Sequence, residues 1–296
     1  MIPVIDLGDA SAEEAAAGID AALVQHGFFA LRGHGVPPAV TLDAFDAGRR
    51  FFALPEPTKR RWYIDARQRG FDPIGWQALD PAQPPDLKES FYLGVEAIAP
   101  NQWPDESLVP GFRAACDTYA LEMRRLAGRL MGLFEIALGL PAGHFDAFMR
   151  HPTCTTRLLH YPPQPAAAAP GQIGCGAHTD WGALTLLAQS DAGGLQVQRA
   201  DGGWTDVPPL PGAYVVNVGD MTQRWTNDRW RSTVHRVVNR HGGRERWSIA
   251  YFFDLDAEAS VEPLPTCVSA ARPARYGPLT AGEHLAEMYR RTTVTA

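Results

Sequence analysis

The second half of the chain is broken into short β-rich segments, 155–161, 183–188, 194–198, 213–218, 232–238 and 246–253, each bounded by Gly, Pro or Asp. Apolar, β-branched runs of this length with turn residues at both ends read as strands. Many short strands in regular succession imply a sandwich or a jelly roll, so the expected class is mainly β with flanking helices.

The first half reads differently. Ser11 is placed to cap a helix that begins at Ala12-Glu13-Glu14 and runs to His26, where Gly27 supplies a stop. A short strand follows over 28–31, and a second helix starts after Pro37-Pro38 and ends near Leu54, because Pro55 and Pro57 forbid continuation. Residues 64–110 mix Pro, Gly, Asp and aromatics without a period, which suggests irregular segments around a strand at 90–94. From Phe112 to Leu138, apolar residues recur at helical spacing while Arg124, Arg125 and Arg129 face outward, so a long helix should pack on the sheet. The expected organisation is an α-rich, mixed N-terminal region over 1–110, then a β-rich region over 111–296 with this supporting helix and a C-terminal helix. The Pro- and Ala-rich stretch Pro162 to Pro170 reads as an exposed connection between strands.

Bulk properties narrow the function classes. A net charge of −6 gives no electrostatic footprint for nucleic acid. The longest apolar stretch, Leu126 to Leu140, carries Arg129 and Glu135 and reads as a buried helix rather than a membrane span. The first residues show no signal-peptide pattern, which makes the cytoplasm the expected location. Cys116, Cys154, Cys175 and Cys267 are far apart with no Cys-x-x-Cys, so free thiols are expected. No heptad or seam speaks to oligomeric state.

Chemistry enters at Gly174-Cys175-Gly176-Ala177-His178-Thr179-Asp180-Trp181. In extended backbone His178 and Asp180 project to one face, and His235, on another expected strand, supplies a third donor. Two imidazoles and one carboxylate leave three octahedral positions open, the arrangement that iron(II) oxygenases use for a chelating 2-oxo acid and oxygen. On the strand after His235, Arg246 and Ser248 share a face with Trp247 pointing away, and an arginine fork beside a hydroxyl makes a carboxylate clamp. Tyr161 adds a polar group on the same face as Arg157, with His160 opposite.

On these residues the chain resembles the isopenicillin N synthase-like family of iron/2-oxoglutarate dioxygenases. The resemblance runs through Ile2-Pro3-Val4-Ile5-Asp6-Leu7, Gly27-Phe28-Phe29, His34-Gly35-Val36, Phe51-Phe52-Ala53-Leu54-Pro55, Asp86-Leu87-Lys88-Glu89, Leu184-Thr185-Leu186-Leu187, Gly193-Gly194-Leu195-Gln196-Val197 and Val216-Asn217-Val218-Gly219-Asp220, ending with the His235 and Arg246-x-Ser248 segments. It implies a double-stranded β-helix, a cupin-like jelly-roll core with helices outside. It also implies Fe(II) on His178, Asp180 and His235, and the distal carboxylate of 2-oxoglutarate on Arg246, Ser248 and Tyr161. O2 would be the second co-substrate and ascorbate a reductant. One departure stands out: the family often has Arg-Gly-Tyr followed by a Glu, whereas here Arg69-Gly70-Phe71 leads to Trp76-Gln77.

Other assignments have two readings. Trp181, Phe253 and Phe91 line a substrate pocket or simply pack, and Arg157 contacts substrate or sits in a structural ion pair. Asn217 faces the metal or holds a strand end, with the structural role favoured. The remaining histidines, His26, His34, His144, His151, His160, His241 and His284, lack partners at ligand spacing. The expected activity is oxidation, by default hydroxylation, of a small-molecule metabolite with release of succinate and CO2. Asp180 disfavours halogenation, since it fills the position a halide would take. Rival readings are a family oxidase that closes rings or releases ethylene without 2-oxoglutarate, and a zinc hydrolase or non-redox metal-binding module, against which no general base adjoins the triad.

Overall fold

The computed structural model describes residues 1–79, 83–165, 168–239 and 243–292. In chain order its elements are β1 (Val4–Asp6), α1 (Ala12–Gln25), β2 (Phe28–Arg32), α2 (Pro38–Phe52), α3 (Glu56–Lys59), β3 (Gly70–Asp72), β4 (Glu89–Gly94), α4 (Phe112–Leu138), β5 (Thr155–Tyr161), β6 (Cys175–His178), β7 (Leu184–Gln189), β8 (Leu195–Gln198), β9 (Trp204–Asp206), β10 (Tyr214–Val218), α5 (Asp220–Trp225), β11 (His235–Val237), β12 (Arg246–Phe253) and α6 (Ala281–Thr292).

Local chemistry sets the helix ends. The Ser11 hydroxyl accepts from the Glu14 N–H while the Glu14 carboxylate accepts from the Ser11 N–H, closing a capping box on α1. The helix stops before Gly27 at φ +69°, where any Cβ would also strike Thr233 Oγ1 and the Arg231 carbonyl. In α4, Tyr119, Met123, Leu126, Leu130, Leu133 and Phe134 are buried, while Arg124, Arg125 and Arg129 stand outside. No helix among the described residues is long and apolar enough to cross a membrane.

Two sheets form the jelly roll. The larger has the order β1-β2-β10-β7-β12-β5-β4-β3 and the smaller β6-β11-β8-β9. Among the described residues the named strands pair antiparallel except β1 with β2. Strands from both the 1–110 and the 111–296 segments thus share the larger sheet, and its central strands are buried on both faces. Ile249, Tyr251 and Phe253 of β12 and Val216 and Val218 of β10 face a core completed by α1, α2 and α4. Ala250 of β12, Val215 of β10, and Leu159 and Tyr161 of β5 face a second apolar cluster, with Leu195, Val197 and Val237 of the smaller sheet. The period of two along a strand therefore separates scaffold from interior.

The sequence reading placed 155–161, 246–253 and 112–138 at the observed bounds of β5, β12 and α4. It did not anticipate β1, β3, β9, α3 or α5, gave no bounds to β6 although it took His178 and Asp180 as extended, and β11 is shorter than the expected 232–238. The described parts of Pro162 to Pro170 carry no helix or strand and are mostly exposed; residues 166 and 167 lie outside the described residues, as does His241.

Candidate active site

His178 and His235 meet because β6 and β11 pair in the register His235↔His178. Directly opposed residues on antiparallel strands stand about 5 Å apart, and here the imidazole centroids are 4.3 Å apart. Asp180 lies two residues past His178, and its Oδ1 is 3.7 Å from His235 Nε2 and 3.9 Å from His178 Nε2. One donor atom from each residue falls within 4.8 Å of the others.

The surroundings fix each donor. His178 Nδ1 lies 2.8 Å from the Gly176 carbonyl and His235 Nδ1 3.1 Å from the Thr233 carbonyl. With those Nδ1–H groups donating to backbone, each Nε2 is left as a bare lone pair toward Asp180. Asp180 Oδ2 accepts from Thr185 Oγ1 and from Asn217 Nδ2, both at 2.6 Å, so that Oδ1 is the free oxygen. Burial opposes ionisation of Asp180, but the two imidazoles and these two donors outweigh it and hold the carboxyl below its ordinary range. Burial, joined by His178, lowers His235 to about 4, and burial likewise lowers His178. Both imidazoles are therefore neutral near pH 7, the protonation state in which a histidine can ligate a metal.

Two cavities meet at this triad. One, of about 60 Å³ between the sheets, runs from His178, Asp180 and His235 to Tyr161, Arg246 and Ser248. Arg246 is 3% exposed, and it donates to the Gly193 carbonyl at 2.8 Å, to Ser248 Oγ at 3.0 Å and, at 3.4 Å, to Gln189 Oε1. Its guanidinium lies 4.7 Å from the centre of the Tyr161 ring, as the register Arg246↔Tyr161 requires. Among the described residues no carboxylate pairs with it, and burial lowers its pKa. A guanidinium remains charged under such conditions, so the end of this cavity is a buried cation lacking a counter-anion.

The other cavity, of about 100 Å³, shares His178 and Asp180 with the first and has aromatic walls from Trp76, Tyr92, Trp181, Phe252 and Tyr289. Arg157, His178, Asp180 and Phe252 line both spaces.

Residues 152–255 match the model of the 2OG-Fe(II) oxygenase superfamily, and residues 2–106 match that of the non-haem dioxygenase in morphine synthesis N-terminal region. A 2-oxoglutarate-Fe(II) type oxidoreductase of Emericella nidulans is 36% identical over 287 residues, covering 90% of this chain and 81% of the relative. A 2-oxoglutarate-dependent dioxygenase of Monascus ruber is 38% identical, covering 89% of this chain and 87% of the relative. A full-length Neurospora crassa protein, crystallised in complex with alpha-KG and thymine, superposes with a TM-score of 0.91 at 30% identity, covering 98% of this chain and 97% of that one. The chain belongs to the 2OG-Fe(II) oxygenase superfamily.

This oxygenase is accordingly a 2-oxoglutarate- and Fe(II)-dependent dioxygenase with O2 as co-substrate. Its donor set suits that chemistry: neutral imidazoles and a carboxylate give the mixed N/O site that iron(II) accepts, and the uncompensated Arg246 suits a dicarboxylate.

For Phe91 and Phe253 the structure gives the packing alternative, and the pocket reading needs correction. Phe91 lies outside the cavity: it is fully buried with its ring 4.7 Å from Phe51 and 5.3 Å from Phe112, and its neighbour Tyr92 faces the cavity. Phe253 packs against the helical layer, and Phe252 faces inward. Each expectation was one residue out of phase, and on a strand one residue means the opposite face. Asn217, favoured as a strand-end residue, faces the site and holds Asp180. Trp181 does line the aromatic cavity. Arg157 sits in the structural ion pair, with Asp72 at 3.1 Å, and it also lines both cavities. Thr185, Tyr92, Asp254 and, from α6, Leu285 and Tyr289 were not singled out from sequence. The phase of β12 carried a signal for one of them, because Arg246, Ser248, Ala250, Phe252 and Asp254 alternate along one face.

Proposed function

We propose that His178 Nε2, Asp180 Oδ1 and His235 Nε2 hold the iron, that Arg246, Ser248 and Tyr161 take the distal carboxylate of 2-oxoglutarate, and that the oxygenase hydroxylates a small metabolite held in the aromatic cavity, releasing succinate and CO2. The observation that carries this reading is the placement of the triad between a space that ends on a buried, uncompensated arginine and a space walled by aromatic rings. Iron, when bound, supplies oxygen activation. The chain does the positioning: Thr185 and Asn217 keep one oxygen of Asp180 turned to the centre, and the backbone carbonyls of Gly176 and Thr233 hold the imidazoles in register. The Tyr161 ring and Ser248 fix the plane of the Arg246 fork, so that a bound carboxylate sets how deeply the co-substrate reaches toward the triad.

The aromatic walls suit a compact, ring-bearing or alkyl substrate. Thymine in the Neurospora crassa complex is a small ring bound to a relative. We place the protein in the cytoplasm, in keeping with cysteines that are all free and buried.

The reading is tested by aerobic turnover with 2-oxoglutarate and a panel of small metabolites. Succinate is expected with iron(II) and not with zinc, and one equivalent of oxidised product should accompany each succinate. Product formed without 2-oxoglutarate, or turnover sustained by zinc, would overturn it.

A further inference from the structure

The aromatic cavity contains a carboxyl group, that of Asp254, with which no Lys or Arg pairs among the described residues. Asp254 follows β12 directly, two residues beyond Phe252 on the face that begins with Arg246, and it is 7% exposed. It lines the aromatic cavity, and its Oδ1 is enclosed without a hydrogen-bond partner among the described residues. The charged group that acts on it is Asp180, which has the same sign. The carboxylate sits tight against Gly182, where any Cβ would occupy the place of Oδ1, so the fold has made room for it.

The cation that lines this cavity does not answer the carboxylate. Arg157 spends its charge on Asp72 at 3.1 Å and further donors on Ser90 Oγ and Gln77 Oε1. A buried carboxylate without a counter-ion is strongly disfavoured, and one that lines a binding cavity is a group that a bound cation can satisfy. The rest of the lining agrees in sign. Trp76, Trp181, Phe252 and Tyr289 are aromatic, and aromatic rings attract cations, as the Tyr92 ring does with the Arg157 guanidinium 4.4 Å from its centre.

We propose that the substrate carries a cationic nitrogen, an ammonium or a guanidinium, and that Asp254 binds it inside the aromatic cavity. This assignment rests on the reading of that cavity as the substrate site. Asp254 is then a specificity-determining residue: it anchors the nitrogen at the far end of the β12 face and leaves the rest of the molecule to extend toward His178 and Asp180. Anionic analogues would meet two carboxylates and be rejected.

The test is isothermal titration calorimetry near pH 8 on the metal-free protein and on the anaerobic iron(II)/2-oxoglutarate complex. The probes are 3-phenylpropylamine and agmatine, which separate ammonium from guanidinium, against 3-phenylpropanol and 3-phenylpropionate. At least one amine should bind at least about tenfold more tightly than the alcohol and the acid, as a charge-assisted hydrogen bond implies. Asp254→Asn and Asp254→Ser should each erase that preference, with circular dichroism showing that the variants fold. Equal binding of amine and alcohol, or an amine preference that survives both substitutions, would overturn the assignment. Loss of the iron/2-oxoglutarate complex in the wild-type protein would instead sink the cofactor reading, and amine binding to the metal-free protein would still be decided on its own.

Discussion

Asp180 gives one oxygen to Thr185 and Asn217 and keeps the other for the two imidazoles, so the quality of the proposed metal site depends on residues that are not themselves donors to the centre. Asn217→Ala is expected to weaken iron(II) binding roughly 10- to 100-fold while leaving the fold intact, measured by anaerobic metal titration. Asp254 behaves in the opposite sense. Burial first, and Asp180 second, raise its carboxyl from 3.8 to about 7, so between these values the folded protein holds a proton that the unfolded chain releases. Its favourable contribution is complete below pH 3.8 and is lost as pH rises through about 7, with up to roughly 4 kcal/mol at stake. The metal-free Asp254→Asn variant should therefore gain stability over wild type at pH 8 and lose that advantage by pH 4 in urea unfolding. At this scale the sequence was legible where spacing alone sets geometry: His178 and Asp180, two apart, do stand together, and Arg246 and Ser248 do share a face. It misled where phase had to be guessed, which is why Phe91 and Phe253 stand for Tyr92 and Phe252.

The strands differ in how plainly the sequence announces them. β5, β12 and α4 are long, with β-branched, aromatic or periodic apolar content, and their bounds could be read. By contrast β6 reads Cys-Gly-Ala-His and β9 is three residues long, and neither has local content that distinguishes it from a loop. What makes β6 a strand is its pairing with β11, a long-range contact invisible to local pattern. The same pairing joins His178 to His235, so the metal site was legible from its chemistry before its strand was. Phe91 illustrates the scaffold side. Its ring meets Phe51 and Phe112 between β4, α2 and α4, and Phe91→Ala is expected to cost about 3–5 kcal/mol in urea unfolding. Its effect on substrate affinity should be small at temperatures where the variant remains folded.

At the scale of the molecule, the larger sheet draws strands from both ends of the chain. β1 and β2 extend it beyond β10, β4 and β3 extend it beyond β5, and α1 and α2 pack with α4 over one face. Residues 111–296 expressed alone would leave β10 and β5 with bare edges and the α4 core uncovered. That fragment should be insoluble or lack cooperative unfolding, whereas the whole chain should unfold in a single calorimetric transition. This architecture also explains how one strand serves both ends of the active site. β12 presents Arg246 and Ser248 to the inner cavity and leads to Phe252 and Asp254 in the outer one, with the triad between them. The central claim is that this triad binds iron(II) and that Arg246 holds 2-oxoglutarate beside it. Anaerobic addition of iron(II) and 2-oxoglutarate to the metal-free protein, followed by visible absorption, tests it most directly. A metal-to-ligand charge-transfer band is expected, lost in His235→Ala and needing much higher 2-oxoglutarate in Arg246→Leu; a protein that binds iron without the band, or a band indifferent to both substitutions, would contradict the claim.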